Sequence, residues 1–256
     1  MFWKQSTKSK DGTKSPTSSS PVLISGHDDL KKQFGVYVTI CSTMIVMPAI
    51  FAMAFFSYRV VSYTIMISWV IVLLSSSKIW QRLSQVKSGY DGECAVRERL
   101  LSLLGDGDTL FSPLLIKHNG KDVQIDNLAV TDGTVFICEV KTMHGKMEGK
   151  DRDDFWYYKK TTGNALFGVK IKNPAKQVIR QQKVVRSILS DLKTNLDVVA
   201  CVVLTEPTQV EYTGSIPFID IGDIDEFIDK NRNTRGIGDK NALVSFLINN
   251  AKRSAQ

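Results

Sequence analysis

Ile125-Asp126, then Thr131-Asp132-Gly133-Thr134, then Phe136-Ile137-Cys138-Glu139-Val140-Lys141 has the pattern of two strands joined by a tight turn. Two apolar runs flank an Asp-Gly pair, a strong short-range signal for a β-hairpin. Glu139 and Lys141 stand two apart on the second strand and share one face. Asp126, on the antiparallel neighbour, reaches that face from the side. Two carboxylates and an ammonium at the end of an apolar hairpin are costly to bury, and they make sense if a divalent cation and a phosphate share the site. Paired acidic oxygens suit a hard ion such as Mg²⁺, which takes one or two carboxylates plus substrate oxygens. Lys141 then holds the attacking water or neutralises charge developing on the phosphate. A surface strand whose Glu and Lys are merely solvated is the competing reading of Glu-x-Lys.

Outward from the hairpin, Gly89-Tyr90-Asp91-Gly92 is read as a break before a helix over 93–104, closed by Gly105-Asp106-Gly107. Strands at 109–117, 123–130 and 135–141, turned by Asn119-Gly120 and Asp132-Gly133, predict a three-stranded antiparallel meander. Residues 146–172, charged and aromatic, carry no clear element. Asn173-Pro174 opens a helix to Leu192, with Val178, Val185, Ile188 and Leu192 toward the core. The apolar run 197–205 is a strand buried on both faces; 217–221 is a further strand, and 223–231 and 240–251 are helical. The order predicts an α/β sandwich with a mixed sheet.

The 256 residues, with a formal charge of +7, allow one sizeable domain plus accessories. Residues 1–33 are rich in Lys, Ser and Thr and are expected to be a disordered cytoplasmic tail. From 34 to 77 the only charged residue is Arg59, and the stretch reads as a hairpin of two transmembrane α-helices, 34–57 and 60–77, turning near Ser57-Tyr58-Arg59. Lys31 and Lys32 before it, and Lys78, Arg82 and Lys87 after it, put both termini in the cytoplasm. The expectation is a multi-pass protein of the cell's inner (plasma) membrane, with the lipid bilayer as a partner. Cys41, Cys94, Cys138 and Cys201 lack metal-ligand spacing and read as free thiols.

In this order the residues resemble a nuclease-related domain (NERD) of the PD-(D/E)xK, restriction-endonuclease-like superfamily. The matching pieces are Gly92-Glu93, Ile125-Asp126-Asn127, Phe136 through Thr142 with Gly145, Trp156, and Asn173-Pro174 followed by Gln177. The resemblance covers about residues 88–205, within a domain read as 88–251. It implies a restriction-endonuclease-like mixed sheet flanked by helices, and a metal-dependent nuclease centre at Asp126, Glu139 and Lys141. Asp126 and Glu139 would bind Mg²⁺ (or Mn²⁺), with Glu93 an auxiliary acid and Gln177 a polar contact from the following helix. Read from the residues alone, Glu93 also suits a helix's first turn, and Gln177 also suits a boundary position.

Lys176, Arg180 and Lys183 share one face of that helix at helical spacing. The ridge suits a phosphate backbone, and equally suits a solvated face. Phe155-Trp156-Tyr157-Tyr158 suits base stacking, or loop packing. The expected function is a membrane-anchored, Mg²⁺-dependent nuclease hydrolysing phosphodiester bonds, with DNA the expected substrate and a homodimer a further expected state. The alternative is a catalytically inactive nuclease-like module that binds nucleic acid or a protein partner at the membrane.

Overall fold

A computed structural model of the chain describes residues 62–162, 165–233 and 238–254, together with 4–5, 22–25 and positions 39, 42 and 46. The chain divides into two units, 27–91 on the one hand and 1–26 with 92–256 on the other.

In the unit 27–91, Thr39, Ser42 and Val46 are helical, and helix α1 (Ser62–Leu103) begins. The first expected span, 34–57, and the turn at 57–59 otherwise lie outside the described residues. The second, 60–77, is not a separate element: the apolar run to Leu74 continues through Ser75-Ser76-Ser77, Lys78 and Arg82 within α1. Among the described residues no helix is long and apolar enough to cross a membrane.

The expected break at Gly89–Gly92 is also absent. An internal glycine costs a helix only about 1 kcal/mol, and Gly92 is needed where α1 meets the sheet. A Cβ there would collide with the Thr142 hydroxyl and stand 3.0 Å from that of Thr205. Those two hydroxyls are themselves bonded at 2.8 Å.

The second unit is built on a seven-stranded sheet. Its strands are β1 (Lys4–Gln5), β2 (Val22–Ser25), β3 (Thr109–Ser112), β6 (Asn127–Val130), β7 (Thr134–Lys141), β11 (Asp197–Leu204) and β13 (Phe218–Asp220), adjacent in that order. β6 runs antiparallel to β3 and β7, whereas β11 is parallel to both β7 and β13, so the sheet is mixed as expected. The tail expectation fails at β1 and β2. Val22-Leu23-Ile24 is the tail's one aliphatic run, and it pairs in parallel with the buried strand β3.

The meander is interrupted twice. Pro113, which has no N–H to give a ladder, separates β3 from β4 (Leu114–His118). Asp126 separates β5 (Lys121–Ile125) from β6. β4 and β5 form their own ribbon around Asn119-Gly120, whose φ values of 49° and 73° fit a two-residue hairpin turn.

Residues 146–172 fold into a second sheet. It comprises β8 (Gly145–Gly149), β9 (Phe155–Thr162), β10 (Ala165–Lys172) and β12 (Thr208–Tyr212), in the order β10-β9-β8-β12.

Period-two alternation in β7 divides the core. Phe136, Cys138 and Val140 pack with Val96 and Leu100 of α1 and with Ile224 and Ile228 of α3 (Ile224–Asn231). Val135 and Ile137 pack on the other face, with Val178, Val185 and Ile188 of α2 (Pro174–Asp191) and Leu243 and Leu247 of α4 (Lys240–Ser254). Burying each such aliphatic side chain contributes about 1.5–3 kcal/mol. Asn173 caps α2 by accepting from the Lys176 N–H at 2.9 Å, and its amide donates to the Asp153 carbonyl at 2.7 Å. The second sheet is thereby tied to the start of the helix. Cys94, Cys138 and Cys201 are free thiols.

Candidate active site

Register brings the site together. Asn127 opposes Cys138 in the antiparallel β6–β7 pair, so Asp126, one step back, comes level with Glu139. The Asp126 Oδ2 accepts the Val140 N–H at 3.0 Å, which fixes the carboxylate against the end of β7. Both acids are buried, at 7 % and 1 % exposure. Groups of this kind enter a protein interior only when paired or hydrogen-bonded.

Glu139 is bonded on both oxygens. Its Oε1 accepts from Lys141 Nζ at 2.5 Å, and its Oε2 accepts from the Gln181 amide at 2.8 Å. The same Gln181 nitrogen donates to the Gln124 carbonyl at 2.9 Å, linking α2 to β5 across the site. The Oε1 of Gln181 is buried with no hydrogen-bond partner among the described residues.

The electrostatics are lopsided. Burial, then the neighbouring Glu139 charge and to a lesser extent Glu93, push the Asp126 carboxyl up to about 8, against the opposing pull of Lys141 and the Val140 N–H. Glu93, half-buried on α1, is raised by burial and by Glu139. Burial alone would lower the Lys141 ammonium, yet Glu139, Asp126 and Glu93 outweigh it and hold Lys141 above its ordinary value. One ammonium faces three carboxyl groups, and burial, reinforced by the neighbouring carboxylates, favours the neutral form of Asp126.

A hard divalent cation fits this donor set. Asp126 and Glu139 present carboxylate oxygens, Gln181 presents an orphaned carbonyl oxygen, and the excess negative charge calls for a positive one. Among the described residues no three His, Cys, Asp or Glu side chains converge as a ligand group. Two carboxylates completed by water and substrate oxygens are a donor set that a small hard ion takes.

The structure thus joins Asp126, Glu139 and Lys141, with Glu93 coupled to them electrostatically. Gln177 lies outside the cluster: it is half-buried, one turn before Gln181, and lines a groove of about 780 Å³ beside the site. Gln181, one turn on, makes the contact to Glu139. The sequence signal that points to Gln181 is spacing, because Val178, Gln181, Val185 and Ile188 form one stripe in which a single polar residue interrupts three aliphatics.

Lys176, Arg180 and Lys183 are exposed and line that same groove. Lys176 pairs with Asp154, and Arg180 donates to the Asp122 carbonyl at 3.1 Å. His144 is exposed, with its backbone N–H and carbonyl both bonded to the Tyr158 hydroxyl. His118 bonds Ser187 at 3.0 Å and is only 11 % exposed, not solvent-facing as its place beside a turn suggests.

No curated protein and no solved structure matches the chain. Residues 88–205, which contribute every side chain of the cluster, match the family model described as NERD, nuclease-related domain.

Proposed function

We propose that this chain is a membrane-anchored, divalent-metal-dependent nuclease that hydrolyses phosphodiester bonds in DNA. The observation that carries the reading is the convergence of Asp126, Glu139, Lys141 and Gln181 at the end of β7, inside the nuclease-related stretch. Asp126 and Glu139 would hold Mg²⁺ or Mn²⁺. When bound, such an ion supplies Lewis-acid polarisation of a phosphoryl oxygen and a hydroxide nucleophile at neutral pH.

The remaining roles belong to the chain itself. Lys141, held above its ordinary pKa, stays an ammonium and is a donor only. It therefore acts as positive charge toward the phosphate and not as a proton acceptor. Gln181 fixes the Glu139 carboxylate against β5, and Glu93 adds an acid from α1. Lys176, Arg180 and Lys183 give the adjoining groove the charge to follow a phosphate backbone. The N-terminal apolar stretch would anchor the protein, with both termini cytoplasmic.

The test is cleavage of single- and double-stranded DNA and of RNA by the full chain, with Mg²⁺, Mn²⁺ or chelator present. Metal-dependent cutting that Asp126→Asn and Glu139→Gln abolish, and that Lys141→Ala slows chiefly in turnover, is the expected result. A folded wild type that binds Mg²⁺ and nucleic acid but cuts none of these substrates would make the chain a non-catalytic binding module. Cutting that survives Asp126→Asn would move the active centre elsewhere.

A further inference from the structure

The outward face of the second sheet carries an aromatic and basic surface that the catalytic cluster does not use. Strand alternation turns Trp156 inward, where it is fully buried and packs on Tyr212 and Phe218 at ring-centroid distances of 5.1 and 5.5 Å. Phe155 and Tyr157 are therefore turned outward, at 56 % and 52 % exposure. They stand two residues apart on one strand, about 7 Å at the usual rise. Their cross-strand partners are Lys172 and Lys170, both exposed. Lys170 Nζ lies 5.8 Å from the Tyr157 ring centroid. A Cβ on the next outward position of β10, Gly168, would meet nothing within 4 Å, so the face stays open there.

Acids near this face are engaged within the protein. Glu148 pairs with Lys159 at 3.3 Å, Glu211 with Lys146 at 2.5 Å, and Asp154 with Lys176. Asp153 accepts the Lys150 N–H at 3.0 Å. Among the described residues Lys170 and Lys172 form no ion pair. The net offer of the face is two open rings edged by two lysines.

This face is continuous with the groove beside the active site. Asp154 and Phe155 line both that groove and a second one of about 940 Å³ that contains Tyr157 and Lys170. One path thus leads from Gln181, past Arg180, Lys176 and Lys172, around Phe155, and onto Tyr157. Two rings on a duplex-binding surface would have no bases to meet. In a single strand every base offers a π-face, and aromatic rings interleaved with cations are the chemistry that holds it.

We infer that the outward face of β9 and β10 is a binding platform for single-stranded nucleic acid, which stacks bases on Phe155 and Tyr157 and leads the strand along Lys172 to the site at Gln181 and Glu139. The inference deepens the nuclease reading and rests on it for the direction of the path. Its test is binding alone.

The full chain, in chelator so that no cleavage occurs, is titrated into a fluorescent single-stranded DNA oligonucleotide and, separately, into its duplex. Anisotropy reports each affinity. Losing a base–aromatic stack weakens binding about 5- to 150-fold. The double variant Phe155→Ala, Tyr157→Ala should bind the single strand at least about 20-fold more weakly while its duplex affinity, which lies in phosphate charge, changes less than about threefold. Phe155→Trp with Tyr157→Phe keeps both rings and should keep the affinity. It also guards against a fold effect of the alanines.

Unchanged single-strand affinity in the double alanine variant overturns the inference, as does an equal loss for single strand and duplex. Lost binding to anionic phospholipid vesicles with oligonucleotide affinity intact would make the face a membrane contact, and also overturns it. A wild type that cuts nothing but shows the selective loss upholds the platform while the nuclease reading fails. A wild type that cuts duplex DNA without the selective loss does the reverse.

Discussion

Asp126→Asn should make the metal-free protein more stable, by an amount that grows as pH rises from about 4 to about 8. In the folded state the Asp126 carboxyl sits at about 8 against an ordinary 3.8. A raised carboxyl means that the folded state holds a proton the unfolded chain has released. Stability from this group is thus full below the unfolded value, and it is lost as pH rises through the folded one. The displacement is about 4 pH units, on the order of 5 kcal/mol at 1.36 kcal/mol per unit. Proton movement among Glu139, Lys141 and Glu93 shares that cost, so about half of it, ~2–3 kcal/mol, is assigned to the substitution. Asparagine has no charge to lose, and its Oδ1 can still accept the Val140 N–H. The assay is thermal unfolding of wild type and variant in chelator. Near-equal Tm is expected at about pH 4, and a variant Tm higher by about 5–10 °C at about pH 9. Mg²⁺ added at the higher pH should raise the Tm of wild type and leave that of Asp126→Asn in place. A Tm gap that is the same at both pH values, or a wild type that gains stability as pH rises, would refute the electrostatic account of the site.

The other predictions concern the ridge, the first helix and the topology. Alanine at Lys176, Arg180 and Lys183 together should weaken DNA binding regardless of sequence and flatten the log–log salt slope by about 2–3, since each duplex phosphate contact contributes about 0.9; an unchanged slope would mean a solvated face. Gly92→Ala should cost about 1–3 kcal/mol, because the Thr142 hydroxyl it strikes is held by Thr205. Gly89→Ala, with nothing within 4 Å of its Cβ, should gain up to about 1 kcal/mol of helix stability. Denaturation midpoints that move the same way for both would undo the packing argument. Cysteines introduced at Ser18, Tyr58 and Ser254 should show, with an impermeant thiol reagent on intact cells, labelling at Tyr58 alone; labelling at Ser254 but not Tyr58 would reverse the proposed topology.

Legibility follows the range of the interactions. The hairpins are readable because their signals are local: Asn119-Gly120 adopts positive φ at both residues, and Asp132-Gly133 turns β6 into β7. Helix α2 starts at Pro174 as its Asn-Pro pair indicates, because capping and proline act on neighbouring backbone groups. Helix α1 looks broken in sequence because the reason for Gly92 lies some fifty residues downstream at Thr142, and a glycine kept for close approach looks the same as one that ends a helix. The second sheet is invisible for a related reason. β8 pairs with β12, which lies more than fifty residues further along, and only Met147 on β8 is buried, so no apolar alternation announces that strand. Within the site, the strand residues are legible from spacing, whereas motif position favours Gln177 over Gln181. A helix turns 100° per residue, so the two glutamines lie one turn apart, and only the apolar stripe of Val178, Val185 and Ile188 marks Gln181 as the one turned inward to Glu139.

The same contrast explains why the centre is assembled from three separate elements. A hairpin alone can bring Asp126 level with Glu139, but two carboxyls at that spacing repel and have no cation between them. Lys141, two residues on, supplies one positive charge, and it is engaged by Glu139 at 2.5 Å. Gln181 then takes the second Glu139 oxygen and holds it without adding charge, so the Asp126 carboxyl gains no second cation and keeps its raised pKa until a metal displaces its proton. A lysine at position 181 would neutralise the cluster and make it a stable ionic core with no call for a metal. Glutamine leaves a fixed pocket with one oxygen unspent and with a carboxyl at Asp126 that a divalent cation can ionise, and that is what gives the cation, and through it a phosphate, a reason to bind there.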